Sequence, residues 1–370
     1  MNDSQYMKRA LELAQKGIGH VNPNPLVGAV IVKNGKIIGE GYHEKYGEPH
    51  AEVNAFKSLK ESPTGATMYV TLEPCSHYGK TPPCVDAVIK SGVSRVVVAS
   101  LDPNPLVAGR GIIKMQEAGI EVEVGVLKEE ADALNVVFFH YITTMMPYII
   151  MKYAMTADGK IATHTGASRW ITGEIARHRV HEDRKRYTAI MVGVGTVLAD
   201  DPMLDCRIEG GRNPIRIICD THLRTPLNSK IVTTATVIPT LIATTSDDTK
   251  KVSEFTEKGC QILSISTKSE RIDLNLLMTL LGERGIDSIL LEGGATLNAS
   301  ALEAGIVNKV QTYIAPKLFG GISAPTPIAG TGVATPDEAY ILKNQKITIL
   351  GSDILIESDI EEVQPCSQES

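Results

Sequence analysis

A chain of 370 residues is long for one hydrophobic core and is typical of two domains. Its net charge of −6 and its pI near 5.9 argue against a nucleic-acid-binding surface, which needs a stripe of basic residues. Six cysteines in a chain of this size do not form the disulfide framework of a small secreted protein.

The first half of the chain alternates helix and strand signals. Ser4 is predicted to cap the first helix, and Asn34-Gly35 predicts a β-hairpin between strands at residues 27–32 and 36–41. Further helices and strands alternate after the hairpin. This pattern predicts a single sheet covered by helices on both faces.

A group of possible zinc ligands lies within this half. His50 is followed by Cys75 and then Cys84, and one imidazole with two thiolates leaves a fourth zinc position open for water, as in catalytic sites. Glu52 is placed to take a proton from that water and to hand it to a leaving amine. This is the logic of zinc deaminases that act on nucleobase-like rings, so the motif predicts hydrolysis of a ring amine to a carbonyl.

The sequence around these ligands predicts helix starts beside the metal. His50 opens an apolar-periodic stretch, and Cys84 follows Pro82-Pro83, which are favoured residues at a helix start. Because His50 and Glu52 are two residues apart, they can share a site only if their helix points its N-terminus at the metal. Two such N-termini would help to keep both cysteines as thiolates.

Four other interpretations of this half stay open. His77 could complete a closed structural zinc site, although Glu52 would then have no role, and two buried cysteines could bind no metal. A nucleic-acid deaminase would need basic and aromatic residues around the zinc. A zinc-stabilised binding module without catalysis would use neither Glu52 nor the open position.

The boundary between the halves is predicted at Met146-Pro147, which gives domains at residues 1–146 and 147–370. Residues 136–151 are apolar, but polar residues and Pro147 interrupt the run and Lys152 ends it, so we expect a helix end and a core strand rather than a membrane span. The first five residues lack the basic-then-apolar order of a signal peptide. We therefore expect a cytoplasmic protein.

Three segments of the second half carry signals of chemistry. The first, at residues 151–161, is a strand that runs into a turn, and the second, at residues 192–207, contains Gly193 and Gly195 without the third glycine of a dinucleotide fingerprint. The third is an apolar strand, the pair Gly293-Gly294 and a helix start. That order is found at phosphate sites and also at ordinary tight turns.

These motifs resemble one known family. The Asn-Pro-Asn-Pro-Leu-Val-Gly stretch at residues 22–28 and the long insertion at residues 76–83 between the zinc cysteines are similar to the bifunctional deaminase/reductase of riboflavin biosynthesis. The three segments of the second half resemble its reductase domain. The resemblance implies a cytidine-deaminase-like α/β/α sandwich, a dihydrofolate-reductase-like α/β domain, one Zn²⁺ in the deaminase site, and NADPH.

The resemblance also implies a phosphorylated pyrimidine as substrate and a set of site residues. We expect no nucleic-acid or membrane partner and a homo-oligomer, either a dimer or a tetramer. The residues implied for NADPH are Ala154, Trp170, Thr196, Asp200, Thr221, Gly294, Ala295, Thr296, Leu297, Asn298, Ala299 and Ser300. Those implied for the substrate of the second reaction are Ser168, Arg184, Leu204, Arg207 and Glu292.

Chemistry adds further candidates to this set. Asn24 and His77 lie in segments expected to border the zinc, and Lys80 offers a cation to the substrate phosphate. Lys152 and Asp200 are candidates for catalysis of the reduction, because each could stabilise the charge that changes during hydride delivery.

Overall fold

The computed structural model describes residues 2–76, 78, 82–104, 108–265 and 271–361. The chain divides into two compact units, Met1–Met145 and Met146–Ser370. Each unit has its own sheet.

The first unit is built around a five-stranded sheet. Its elements are α1 (Asp3–Gln15), β1 (Gly28–Lys33), β2 (Lys36–Tyr42), α2 (Ala51–Lys57), β3 (Thr67–Leu72), α3 (Cys84–Ser91), β4 (Arg95–Ser100), α4 (Arg110–Glu117), β5 (Glu121–Val124), α5 (Lys128–Leu134) and α6 (Val136–Thr144). The strand order is β2-β1-β3-β4-β5, with β1 antiparallel to both neighbours and β3, β4 and β5 parallel.

Alternation along the strands gives this sheet two buried faces. On β1, Ala29 and Ile31 pack in the cluster that includes residues of α2, α3 and α4, whereas Val30 and Val32 pack with residues of α1 and α5. Successive side chains of a strand point to opposite faces, so helices cover both sides. The predicted α/β/α layering is confirmed.

Of two local predictions in the first unit, the hairpin turn was confirmed and the cap of the first helix was wrong. Asn34 and Gly35 have φ of 51° and 74° and join β1 to β2, as a two-residue hairpin turn with left-handed residues requires. Ser4 does not cap α1, so that prediction was wrong. Asn2 accepts from the Gln5 backbone N–H while the Gln5 side chain accepts from that of Asn2, and this reciprocal pair starts the helix at Asp3.

The second unit contains a nine-stranded sheet. Its elements are β6 (Tyr148–Thr156), α7 (Glu174–Arg186), β7 (Ala189–Gly193), α8 (Val194–Asp200), β8 (Ile215–Cys219), α9 (Lys230–Thr233), β9 (Thr240–Thr244), α10 (Thr249–Glu257), β10 (Gln261–Ser264), α11 (Leu274–Glu283), β11 (Ser288–Leu291), α12 (Ala295–Glu303), β12 (Lys309–Ala315), a 3₁₀ turn (Pro336–Glu338), β13 (Leu342–Leu350) and β14 (Asp353–Ile360). The strand order is β10-β9-β8-β7-β11-β6-β12-β14-β13.

In this sheet order, all neighbouring strands from β10 through β12 are parallel to each other. The β12–β14 and β13–β14 pairs are antiparallel. Parallel strands bring their carboxyl ends to one edge of the sheet. Glu292 follows β11, Gly193 ends β7 and Thr221 follows β8, so these three residues lie at that edge. The apolar run at 136–151 is divided between α6 and β6, as predicted. None of the described helices combines the length and the hydropathy needed to cross a bilayer.

Candidate active sites

The three predicted zinc ligands lie together. His50 caps α2, Cys84 is the first residue of α3, and Cys75 lies in the loop after β3. The His50 Nδ1 is 3.3 Å from the Cys84 Sγ and 3.7 Å from the Cys75 Sγ. Among the residues that the structure describes, no fourth histidine, cysteine or carboxylate joins this group, and His77 lies outside them. One nitrogen and two sulfur donors suit zinc.

The electrostatics of the cysteines suit a cation. Cys75 accepts from the Cys84 backbone N–H at 3.3 Å. The contact of Cys75 with the Cys84 thiol lowers the pKa of Cys75, and its contact with His50 lowers that pKa further. The same contact between the two cysteines raises the pKa of Cys84. Without a positive charge between them, two thiolates at this distance repel. A divalent cation would remove that repulsion and stabilise both in the deprotonated form.

Glu52 lies in the first turn of α2 and is 3% exposed. Burial, and then the charge of Cys75, raises the pKa of its carboxyl group to about 7. A carboxyl group with a pKa near neutrality can take up and release a proton in one catalytic cycle.

A histidine that the sequence did not indicate borders the same site. His43 follows β2, is 2% exposed, and packs edge-on against His50 with ring centroids 5.4 Å apart. Its Nε2 is 3.2 Å from the Nδ2 of Asn24. The position of a lone histidine after a strand gave no signal, because only the fold brings it to Asn24 and His50. Lys80 lies outside the described residues.

The second unit has a cleft of about 800 Å³ at the carboxyl ends of its parallel strands. Many predicted residues line it, and most of them lie in or next to the second and third segments of the second half. They are Ser168, Thr196, Asp200, Thr221, Glu292, Gly294, Ala295, Thr296, Leu297 and Ser300.

The glycine pair after β11 lies beside the cleft, and Gly294 lines it. Gly293 and Gly294 have φ of 60° and 89°, a conformation that side chains other than that of glycine rarely adopt. The Gly293 carbonyl accepts from the Gly193 N–H and from the Thr196 Oγ1, both at 3.1 Å. These bonds hold the turn against the end of β7 and direct the N-terminus of α12 towards the cleft.

Charged side chains cluster at one end of the cleft. Glu292 accepts from the Arg184 Nε at 2.7 Å and from its Nη2 at 2.9 Å, and the Lys152 Nζ lies 3.6 Å from its Oε2. Burial acts to raise the pKa of Glu292, but the charges of Arg184 and Lys152 outweigh it and lower the pKa to about 2. Arg184 also donates to the Asp205 carbonyl at 3.0 Å, which ties α7 to the loop after α8.

The remaining predicted residues lie outside the cleft lining. Asn298 and Ala299 are buried in α12, and the Asn298 side chain donates to the Pro327 carbonyl at 2.9 Å. Ala154 is half-buried on β6, Leu204 is buried and Arg207 is exposed and paired with Asp205. Trp170 is 59% exposed, with the Arg177 guanidinium 4.6 Å from its ring centroid.

Asp200 accepts a hydrogen bond from the Ser168 Oγ at 3.0 Å. The Asp200 carbonyl also accepts from the Arg169 Nη2 at 2.8 Å. The loop that carries Ser168 is thereby joined to the end of α8 beside the cleft.

Comparisons with known proteins match both units. Residues 147–356 match the family model of the RibD C-terminal domain, and residues 1–100 match that of the cytidine and deoxycytidylate deaminase zinc-binding region. The riboflavin biosynthesis protein RibD of Actinobacillus pleuropneumoniae is 57% identical over 357 residues, which cover 96% of this chain and 95% of that protein.

The chain belongs to the RibD family.

Solved structures of two proteins are similar to this chain over nearly its whole length. Acinetobacter baumannii RibD is 38% identical with a TM-score of 0.86, and the alignment covers 97% of this chain and 99% of that one. A Thermotoga maritima protein described as a diaminohydroxyphosphoribosylaminopyrimidine deaminase/5-amino-6-(5-phosphoribosylamino)uracil reductase is 40% identical with a TM-score of 0.85, over 97% and 98% of the two chains. This RibD-family chain is a bifunctional enzyme of riboflavin biosynthesis, a zinc-dependent deaminase and a reductase.

The cleft has lining residues that the sequence did not indicate. They include Ile161, Ala162, His222, Arg224, Arg271 and Pro325. The bases His222 and Arg224 follow the apolar run that forms β8, and their position shortly after that run was a usable signal. Arg271 precedes α11, and only the sheet order brings it to the same cleft.

Proposed function

We propose that the first unit of this RibD-family enzyme deaminates 2,5-diamino-6-(5-phosphoribosylamino)pyrimidin-4-one to 5-amino-6-(5-phosphoribosylamino)uracil. The supporting observation is the group of His50, Cys75 and Cys84 beside a buried carboxyl group whose pKa is raised to about 7. These residues would hold one zinc ion, which when bound supplies a Lewis acid that activates water at neutral pH.

Glu52 carries the proton in this proposal. Water adds to the ring carbon that bears the amine, Glu52 accepts the proton of that water, and Glu52 then donates a proton to the amine. The carbon–nitrogen bond breaks and ammonia leaves. The remaining hydroxyl proton ends on the adjacent ring nitrogen, which leaves a carbonyl. Asn24 and His43 orient the ring from the side of His50, His77 borders it, and Lys80 binds the substrate phosphate.

The second unit then reduces the ribosyl group to a ribityl chain with NADPH. The open form of the ribosylamine has an electrophilic first sugar carbon, so a hydride supplied by NADPH would be accepted on the sugar and not on the ring. The Gly293-Gly294 turn and the first turn of α12 hold the pyrophosphate. This is supported by Gly294, Ala295 and Thr296, which line the cleft at the N-terminus of α12. Further contacts of the cofactor come from Ala154, Trp170, Thr196, Asp200, Thr221 and residues 295–300.

The charged end of the cleft binds the substrate in this proposal. Glu292 holds sugar hydroxyls, while Arg184 and Arg207 bind the terminal phosphate, a role that suits planar guanidinium groups. Ser168 and Leu204 complete the contacts with the substrate. Lys152 and Asp200 stabilise the nitrogen or oxygen whose charge changes as the carbon is reduced. The Lys152 Nζ lies 3.6 Å from the Oε2 of Glu292, which supports this role for Lys152.

Two variants test the two-site proposal. Glu52→Gln is expected to keep one zinc per chain and to abolish ammonia release, because only the proton carrier is lost, while NADPH oxidation with supplied deaminated substrate stays normal. Asp200→Asn is expected to block NADPH oxidation while ammonia still appears. Ammonia, NADPH absorbance and zinc content are measured separately on the full chain.

The exposed carboxylate Glu44 supplies a matched control, since Glu44→Gln removes a charge from the segment before α2 without touching the zinc ligands. Loss of zinc from Glu52→Gln would contradict a catalytic zinc site and would favour a structural one. If either change silenced both reactions in a folded chain, the proposal of two separate sites would be wrong.

A further inference from the structure

The segment at residues 204–207 carries two of the proposed substrate contacts but belongs to no helix or strand. It lies between α8 and β8, and Arg207 at its end is exposed. Leu204 has φ of 52°, a left-handed conformation that residues with a branched side chain rarely adopt. An irregular segment of this kind keeps one conformation only where neighbouring elements hold it.

Helix α7 supplies groups that hold this segment. The Arg184 Nη1 donates to the Asp205 carbonyl at 3.0 Å, and the Arg207 backbone N–H donates to the Nδ1 of His181 at 3.3 Å. The Cys206 thiol donates to the His181 carbonyl, with 3.5 Å between sulfur and oxygen. His181 and Arg184 are three residues apart and therefore lie on the same side of the helix. Each residue from 205 to 207 thus has a bond to α7.

Asn213 holds the same segment from the side of β8. Its Oδ1 accepts from the Cys206 N–H at 2.9 Å. The Arg207 side chain is 59% exposed, and its Nε lies 3.2 Å from the Oδ1 of Asp205. The backbone at residue 207 is therefore fixed, while the guanidinium group is accessible to an anion from solvent.

The bond to Arg207 requires His181 in its neutral form. An N–H donor needs a lone pair on Nδ1, so the proton of the neutral ring is on Nε2. Burial, and then the charges of Arg184 and Arg207, lower the pKa of His181 below its ordinary value of 6.5. Asp205 and Glu292 act in the opposite direction and do not outweigh them. The acceptor is therefore present at pH 7 and is lost as the pH falls through this lowered pKa.

We propose that His181 is a positioning residue of the reductase, which accepts the Arg207 N–H and so holds residues 204–207 in the conformation in which Arg207 binds the substrate phosphate. This inference rests on the proposed function and adds to it the group that orients one of the phosphate ligands. Protonation of His181 removes the acceptor, so the affinity for the phosphorylated substrate falls at acid pH. The hydride step is not affected, since His181 is not among the described residues that line the cleft.

Two substitutions at His181 separate the hydrogen bond from the imidazole ring. In His181→Ala the acceptor is lost, and the KM for the deaminated substrate is expected to rise about 3- to 10-fold, the effect of one lost hydrogen bond. The kcat and the KM for NADPH are expected to stay the same. In His181→Asn the amide oxygen can take the place of Nδ1, so the natural KM is expected to return. NADPH absorbance follows the reaction on the full chain at about pH 7.5.

The dependence of the KM on pH tests the protonation of His181. From about pH 7.5 to about pH 5.5, the KM of the natural enzyme is expected to rise more than that of His181→Asn, because an amide does not titrate. The substrate phosphate also gains a proton near about pH 6, but this contribution is the same for both enzymes and cancels in the ratio of their KM values. A ratio that stays constant over this range would show that protonation of His181 has no such effect.

Two further variants serve as controls. His178 lies one turn earlier on α7 and is exposed, so His178→Ala is the matched control and should change neither KM. Arg207→Ala keeps the backbone N–H and removes the guanidinium group. If His181 acts through that group, adding His181→Ala to Arg207→Ala is expected to raise the KM no further. Additive effects of the two changes would contradict the inference.

The failures of the two proposals differ. If the natural enzyme does not oxidise NADPH with the deaminated substrate, the proposed reductase function is wrong. If it does and His181→Ala keeps the natural KM for that substrate, only the role of His181 is wrong. A rise of the KM for NADPH in the same variant would show a general loosening of the second unit and would also overturn the inference.

Discussion

At the scale of single residues, Glu292 is the carboxylate on which the charged end of the reductase cleft depends. The side chains of Glu292, Lys152 and Arg184 are only 10%, 14% and 13% exposed. Two cations at this depth need a nearby anion, because burying an unpaired charge is costly. Glu292 therefore balances the charges of Lys152 and Arg184 and holds both side chains in place, whatever else it contributes to substrate binding.

Replacing Glu292 by Gln is expected to destabilise the second unit by about 3 kcal/mol at pH 7, because both cations lose their counter-charge. The folded pKa of Glu292 is lowered to about 2 from its ordinary value of 4.5. Its contribution is therefore fully present above about pH 5 and is lost as the pH falls towards 2. Urea unfolding followed by the fluorescence of Trp170, the only tryptophan of the chain, measures this unit.

The difference between the natural chain and Glu292→Gln is expected to shrink between pH 5 and pH 3. Glu303 is exposed on α12 and shows no such pairing, so Glu303→Gln is the control and should change stability little at any pH. A difference that stays constant over this range would show that Glu292 does not act through its charge.

At the scale of elements, one buried carboxylate fastens α4 to the segment that carries Cys75. Glu73 is 3% exposed and accepts from the Gly109 and Gly111 N–H groups, both at 2.9 Å, just at the start of α4. Gly111 packs against the same segment so closely that a Cβ there would lie 2.5 Å from the Pro74 carbonyl oxygen. The zinc ligand Cys75 is thus positioned from outside the ligand group.

Glu73→Gln is expected to speed zinc loss to a chelator by about 10-fold, as is typical when a partner that orients a ligand is removed. The amide keeps one acceptor oxygen but cannot receive both N–H groups with a full negative charge. Zinc release is followed with a coloured chelator, and the d–d spectrum of the cobalt-substituted protein reports the geometry of the ligands. Glu117 is exposed at the end of α4, so Glu117→Gln is the control variant. An unchanged release rate and cobalt spectrum would contradict this role.

Local features were predictable from the sequence and distant ones were not. The Asn34-Gly35 hairpin and the Gly293-Gly294 turn depend on glycine conformations and neighbouring strands, so their residues suffice to indicate them. The Arg184–Glu292 pair joins residues 108 apart, and the basic helix α7 gave no sign of which arginine is buried. Glu73 likewise binds backbone groups whose position depends on the loop after β4. Such contacts follow from strand order, which periodicity alone does not determine.

At the scale of the whole molecule, the edge of the nine-stranded sheet presents an apolar face. Ile347 and Ile349 on the edge strand β13 are 65% and 66% exposed, and Ile354 on β14 is 37% exposed. Ile349 is paired with Ile354 and Ile347 with Ile356, so these side chains share one face of the sheet. An exposed apolar face beside the outer edge of an end strand is typical of an interface. The homo-oligomer that the family resemblance implies would bury such a face.

Changing both Ile347 and Ile349 to Lys is expected to convert a homo-oligomer into a monomer, because charges on this face oppose its burial against a second copy. Mass measured by light scattering at micromolar concentration distinguishes the 39.9 kDa chain from its multiples. Val237 is 79% exposed and lies before β9, at the other end of the sheet, so Val237→Lys is the control and should leave the mass unchanged. Ammonia release should persist in both variants, since neither change lies in the first unit. A natural chain that is already monomeric, or a double variant with unchanged mass, would show that this face is not the interface.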